Sequence, residues 1–328
     1  MATGIVKLTE SFRNEANVSA GHSHSCKKRS PEEVPLLVAV ETLGLTRRQL
    51  FQIAALAAGG GSLLSACTSE QIEHIRNRPI RKNIGTLAPN DPIVTTYAAA
   101  ISAMHALPST DKRNWEQQAQ IHNKLCRHDS WLIWPWHRAY LWYFEEICRE
   151  LTGHNDFALP YWNWTTSRQI PAVFWDSSSA LFHSPRTATS SSSAPDWMVG
   201  PTVIDNILNE TNFIAFAGDA VPLNDTAQFG PAAGPLEATP HNNIHVFVGG
   251  DMSVFTSPRD PIFWTHHGRV DELWVEWNIL RNNSNTNDTA WTNTEFTDFV
   301  DRKGNPVTIS VLTTVLLPYL SYRYDTQV

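Results

Sequence analysis

The sequence predicts a mainly α protein: a four-helix bundle enclosing a dinuclear metal site, with long loops and a few short peripheral strands. Three observations carry this. Histidines fall in two sets, His122, His128 and His137 in the first, and His241, His245 and the adjacent pair His266-His267 in the second. Both sets stand in segments with helical spacing of apolar residues, and most of the chain's 13 tryptophans lie between Trp115 and Trp277, around them. Between the sets, residues 165–235 are rich in Ser, Pro, Ala and Gly and show little periodicity, so they read as long loops.

The bulk numbers set bounds on function. With 328 residues, 42% hydrophobic and 17% charged, the chain can bury an ordinary core without disulfide staples. A net charge of −7, with no basic block beyond CKKRS, argues against nucleic acid as the main partner.

Taken in order, residues 1–45 are polar and expected to form a disordered extension, or to precede the true start. His22 and His24 belong to that tail and read as solvated. Residues 46–67 look like a targeting segment: Arg47-Arg48 precede a short apolar run, IAALAAGGGSLL, and then Leu-Ser-Ala-Cys. Paired arginines before such a run resemble a twin-arginine export signal. The tetrapeptide resembles a lipobox, in which Cys67 would be lipidated. The run is too short and glycine-rich for a permanent span. Export to a bacterial periplasm, or attachment to a membrane through Cys67, is the expectation. Cys126 and Cys148 remain for the folded part, too few for a disulfide scaffold.

The folded domain is expected over 79–328. Asp91-Pro92 opens a helix whose apolar positions are Val94, Tyr97, Ile101 and Met104. His105 at its end reads as a surface or capping residue. A second helix is expected over Trp115–Leu125 and a third over about 135–152. Helical spacing resumes at 240–248 and 261–280. Alternation over 307–317 suggests a small strand, before the closing Tyr322-Arg323-Tyr324-Asp325.

In the first histidine set, His122 lies mid-helix, His128 in the following loop, and His137 early on the third helix. Ligands on separate elements can surround one ion. Arg138, next to His137, is expected to find a carboxylate on a neighbouring helix. Cys126 could be a soft fourth ligand, favouring zinc or mononuclear copper, or could crosslink to His128. In the second set, His241 and His245 share one helix face, a turn apart. Adjacent residues point about 100° apart on a helix, so only one of His266 and His267 is expected to face the metal. Spacing alone leaves that choice open.

The strings WEQQAQIHNKLC, WLIWPWHRAYLWYFE, LPYWNW, PHNNIHVFVGGDM and SPRDPIFWTHHGRVDELW resemble the tyrosinase central domain, shared by tyrosinases, catechol oxidases and molluscan haemocyanins. The resemblance spans roughly residues 80–328. It implies His122, His128 and His137 as ligands of one copper ion, and His241, His245 and His267 as ligands of a second, with His266 left out. It implies a thioether between Cys126 and His128. It also implies that the closing Tyr-x-Tyr packs near an arginine at the domain start, Arg78 or Arg81. The resemblance is to a form without a built-in shielding domain, which is the expectation here.

The chemistry so implied is that of a phenol oxidase, in which O₂ held as peroxide between the coppers oxidises catechols to ortho-quinones. Hydroxylation of monophenols is implied as well. A phenol has a pKa near ~10, so a base helps. Glu237 and Asn242 match the residues that hold a proton-accepting water in related enzymes; otherwise they are a loop carboxylate and a helix-face amide. Val246 leaves the rim apolar, Phe263 is expected beneath the site, and Phe255 and Thr256 over its mouth. Small phenols and O₂ are the expected partners, with a copper chaperone as a further one and the oligomeric state open. Competing readings are a haemocyanin-like oxygen carrier, an ortho-aminophenol oxidase and a zinc hydrolase.

Overall fold

A computed structural model describes Glu73 and residues 75–327. The proposed extension over 1–45, the arginine pair and Cys67 lie outside the described residues. One unit comprises Pro79–Thr314 and Tyr322–Val328; another groups Met1–Arg78 with Val315–Ser321. In the second of these, Arg78 donates to the Ile75 carbonyl and the Ser321 amide to the Leu317 carbonyl. Among the described residues no helix is long and apolar enough to cross a membrane.

Helix α1 spans Pro92–Ala106, opened by Asp91, whose carboxylate accepts from the Ile93 amide at 2.8 Å. Its first-turn proline suits that position, where no intrahelical donor is needed. His105 is exposed at its end, as expected. Helix α2, Trp115–Leu125, is capped by Asn114, which accepts from the Glu116 amide. Helix α3, Ile133–Thr152, stops at Gly153, which adopts φ 73°.

The 165–235 region carries more regular structure than its composition suggests. Short helices α4 (Asp196–Val199), α5 (Pro201–Leu208) and α6 (Phe213–Ala217) interrupt it. Helices this short leave almost no periodic signal, and their caps lie within turn-like sequence. Arg186 ties the loop to the core through a two-pronged pair with Asp260, at 2.8 and 2.7 Å.

Residues 240–248 become α-helical only at Asn242. A π-turn over Glu237–His241 leads into α7, Asn242–Val248. Pro240 lies inside that turn, where the wider register accommodates a residue lacking an N–H. Helix α8, Ile262–Val275, is buried at every position and continues as a π-turn over Glu276–Leu280. Its polar residues are buried along with its apolar ones, and Arg269 and Asp271 are matched by Glu272 and Arg138, so the helix lies at the centre. Here Trp264 stacks on Phe144 of α3 with centroids 3.5 Å apart, and the Tyr97 hydroxyl of α1 donates to the Pro261 carbonyl at 2.7 Å.

Short α9 (Thr289–Thr292) precedes an antiparallel pair, β2 (Glu295–Phe296) with β3 (Ile309–Ser310). The strand expected over 307–317 is therefore confined to two residues. Val311–Leu320 is helix α10: the alternation read over 307–317 stops at Val311, since Thr313-Thr314 and Val315-Leu316-Leu317 break the period of two. The ends of the domain are joined by β1 (Ile80–Arg81) and β4 (Arg323–Tyr324), which pair in parallel.

Candidate metal centre

Each element delivers one or two imidazoles to a common point. Helix α2 supplies His122, the loop after it His128, and α3 His137; their ring centroids form a triangle with sides of 5.4, 5.5 and 5.1 Å. The π-turn ends in His241, α7 supplies His245 and α8 His267, with separations of 4.8, 4.9 and 5.4 Å. The two triangles share a face: His137 stacks on His267 at 4.3 Å with planes 6° from parallel. All six residues assigned from the sequence are thus brought together.

Tautomers are settled by what the other ring nitrogen meets. His122 Nδ1 lies 2.8 Å from the Phe255 carbonyl, His137 Nδ1 2.9 Å from that of Ile133, and His245 Nδ1 2.7 Å from that of Met252. A carbonyl only accepts, so each Nδ1 carries the proton and each Nε2 presents a lone pair. His241 Nδ1 is likewise held, 2.9 Å from Asn242 Oδ1. The Nε2 atoms of His122, His137 and His241 are buried with no protein partner. Burial without a hydrogen bond is costly, and a metal ion is what such converging lone pairs satisfy. His245 and His267 face each other Nε2 to Nε2 at 3.2 Å.

The electrostatics agree. Burial pushes His122 down to about 3 and His245 to about 4. Burial, and then neighbouring imidazoles, hold His128, His137 and His267 well below the usual range. Neutral imidazoles are the form that binds metal.

His266 is fully buried, 4.9 Å from His245 and 5.4 Å from His241, and neither of its ring nitrogens has a partner. Donor atoms of His241, His245, His266 and His267 lie within 4.8 Å of one another. Geometry alone therefore offers four imidazoles at the second pocket. His267 is distinguished by also lying within that distance of His122 and His137.

Cys126 is a free, buried thiol whose Sγ shares a donor group with His122 and His128. Burial pushes it up to about 12, so it stays a thiol and is a poor soft ligand at neutral pH. Gln228 Nε2 donates to this sulfur at 3.5 Å and to the Asn123 carbonyl at 3.1 Å.

Glu237 is buried, its Oε1 accepting from the Asp129 amide at 2.9 Å while Oε2 has no partner. Burial raises its carboxyl to about 8. Asn242 is exposed. Phe263 lies beneath the site, 4.2 Å from His267 and 5.0 Å from His122. Phe255 is 6.3 Å from His122 and 6.1 Å from His128.

Four contributors escaped the sequence reading, three carbonyls and one ring. The carbonyls of Ile133, Met252 and Phe255 carry no residue-type signal, since any residue offers one. Phe229 stacks on His128 at 6.2 Å from a loop about a hundred positions away, and nothing local marks it.

Arg81 proves to be the arginine of the domain start: its guanidinium lies 3.6 Å from the Tyr322 ring centroid and 3.1 Å from the Tyr324 hydroxyl. Arg138 finds its carboxylate in Asp271 of α8, at 2.5 Å.

Comparison with known proteins agrees with this geometry. A family model described as the common central domain of tyrosinase matches residues 96–226 and 183–280. A chloroplastic polyphenol oxidase of Vicia faba is 31% identical over 76% of this chain and 48% of its own length. A tyrosinase of Hahella sp. (strain CCB-MM4) is 32% identical over 78% of this chain and 59% of its own. The chain spans about half the length of the curated plant relatives it matches. The crystal structure of Grenache (Vitis vinifera) polyphenol oxidase superposes with a TM-score of 0.68 at 28% identity, covering 76% of this chain and 85% of that one. With both histidine sets inside the matched region and converging as described, this chain belongs to the tyrosinase family.

Proposed function

We propose that the protein is a copper-dependent phenol oxidase that converts catechols to ortho-quinones and hydroxylates monophenols. The observation that carries it is the pair of imidazole triangles in which Nδ1 of His122, His137 and His245 is tied to a backbone carbonyl and the Nε2 atoms of His122, His137 and His241 converge without a protein partner. His122, His128 and His137 would hold one copper, and His241, His245 and His267 the other. Bound there, copper supplies the one-electron changes through which dioxygen oxidises the phenol.

The chain's own residues do the rest. Hydrogen bonds from Nδ1 fix the ring directions of His122, His137, His241 and His245 and keep them basic at Nε2. Asn242 Oδ1 is engaged by His241, which leaves its amide N–H groups to donate to a water. The unpartnered Glu237 Oε2 is the acceptor for that water's proton, and the pair would pass the phenol proton out of the site. Burial raises this carboxyl past neutrality in the metal-free chain, and a cation bound at His241, four residues on, would lower it again into the range where it accepts a proton. A thioether between Cys126 Sγ and the His128 ring would restrain an imidazole whose Nδ1 lacks a protein partner. Phenols and O₂ are the partners; a chaperone would deliver copper. The Arg47-Arg48 segment and Cys67 support export with lipid attachment to a membrane.

Oxygen uptake by copper-loaded protein, with catechol and with a monophenol, tests this reading. Quinone absorbance with both substrates is expected. Oxygen binding without quinone, or equal activity with zinc, would overturn it. Asn242→Ala should slow the monophenol more than the catechol; equal losses would remove the water-holding role.

A further inference from the structure

Phe229 is half exposed and sits on a metal-ligating ring, stacked on His128 with planes 26° apart. It meets a second exposed ring, Phe255, edge to face at 5.4 Å and 75°. Scattered surface hydrophobics are ordinary, but two phenyl rings joined to each other and to one imidazole are not scattered. Val246 and Val254, 70% and 52% exposed, adjoin His245 and Phe255 in the chain. None of these four side chains carries charge.

The loop bearing Phe229 is seated on the ligand loop. The His128 amide donates to the Gln228 carbonyl at 2.8 Å, and the Gly230 amide donates back to the His128 carbonyl at 2.9 Å. A side chain at position 230 would run into the Asp129 carbonyl and Ser130, at 2.5 Å, so glycine is required for this close approach. Phe229 is therefore held over the site by the same backbone that holds His128. Ordering an exposed phenyl in this way gives little to folding, and a ligand is what would use it.

We propose that Phe229 is a specificity-determining residue, which with Phe255 forms an aromatic corner that receives a second, uncharged ring carried para to the reacting hydroxyl. The inference rests on the phenol-oxidase reading and names its substrate class: para-aryl phenols and catechols. A phenol oxygen directed at the first pocket would approach His128, against which Phe229 and Phe255 both lie, so the para position, opposite that oxygen, would lead outward along the two exposed rings. Offset or edge-to-face contact with them favours an aryl group over a charged or a merely bulky one.

The test compares catechol, 4-tert-butylcatechol and 4-phenylcatechol on copper-loaded wild type, Phe229→Ala, Phe229→Leu and Phe229→Tyr. For Phe229→Ala, KM for 4-phenylcatechol should rise about tenfold, the size of one lost aromatic contact. Its kcat, and both constants for catechol, should stay within about twofold, since such a contact is remote from the reacting atoms. Phe229→Tyr should retain the preference and Phe229→Leu should lose it. Calorimetric titration with 4-hydroxybiphenyl gives the same contrast in Kd without turnover. Equal losses on catechol and 4-phenylcatechol, no change on either, or a Phe229→Leu enzyme matching wild type would each overturn the proposal. A wild type that binds 4-hydroxybiphenyl through Phe229 yet never oxidises catechol would instead sink the phenol-oxidase reading alone.

Discussion

His137 and His267 stack with centroids 4.3 Å apart, and the ion pair between Arg138 and Asp271 crosses the same two helices one residue and one turn further on. The stack is where the two metal pockets meet, so the register of α3 against α8 sets the spacing between them. Asp271 fixes that register. It accepts from Arg138 at 2.5 Å, from the Tyr322 and Tyr324 hydroxyls at 2.7 Å each, and from Arg81 at 3.3 Å. The carboxyl is held below its usual range against the opposing effect of burial, by Arg138 and then Arg81.

Asp271→Asn should destabilise the protein by about 3–5 kcal/mol, because it strips a charge partner from two buried guanidinium groups. Chemical denaturation with the m-value monitored reads this directly. A loss below about 1 kcal/mol, in the range of an exposed ion pair, would show that the network is not what holds the two helices in register.

Alanine at His122, His128, His137, His241, His245 or His267 should lower bound copper from two ions per chain to one. His266→Phe, which keeps a buried ring, should retain both. Copper analysis after dialysis against a weak chelator distinguishes them. One copper in His266→Phe with two in His267→Phe would reverse the assignment of the adjacent pair. Ligand removal should also lower the melting temperature, since binding to the native state alone stabilises it.

Glu237 makes metal-free stability depend on pH with a defined sign. Its carboxyl is raised from 4.5 to about 8, so in that window the folded chain holds a proton that the unfolded chain has released. Its contribution is fully present below about pH 4.5 and falls as pH rises towards 8. Glu237→Gln keeps an acceptor for the Asp129 amide and removes the titration. The variant should match wild type near pH 5 and exceed it at pH 8 in denaturation midpoint. Buried imidazoles act oppositely at acid pH but are common to both proteins, so the difference isolates Glu237. A constant gap across the range would contradict it.

Copper-loaded protein exposed to oxygen should yield a tryptic product in which the peptide ending at Arg127 is joined to the one starting at His128, lighter by two hydrogen atoms than their sum. An alkylatable Cys126 thiol in fully active protein would rule out the thioether.

Much of this was legible in the chain. Trp115–Leu125 was bounded correctly because Asn114 caps it and its apolar spacing is clear. The partner of Arg138 was foreseen as a carboxylate on a facing helix, since a charge beside a buried ligand needs one. The start of the helix at Val311–Leu320 was read as strand because the alternation Val307-Thr308-Ile309-Ser310-Val311 was carried on across Thr313-Thr314, where it fails. The π-turn at Glu237–His241 was invisible for a related reason: its register is set by what His241 must reach, not by local preference.

By itself the sequence determined the inventory and its order: six imidazoles in two sets, the helices that carry them, a carboxylate and an amide nearby, and a membership that the motifs make specific. Those are properties of residue type and short spacing. Only the tertiary structure decided which nitrogen of His122, His137, His241 and His245 carries the proton, that His137 and His267 share a face, that Arg81 meets the closing tyrosines, and that Phe229 lies over His128. The physical reason is the same throughout. Each depends on a backbone carbonyl or a ring brought from a distant segment, and such contacts leave no periodic trace in the segments that make them.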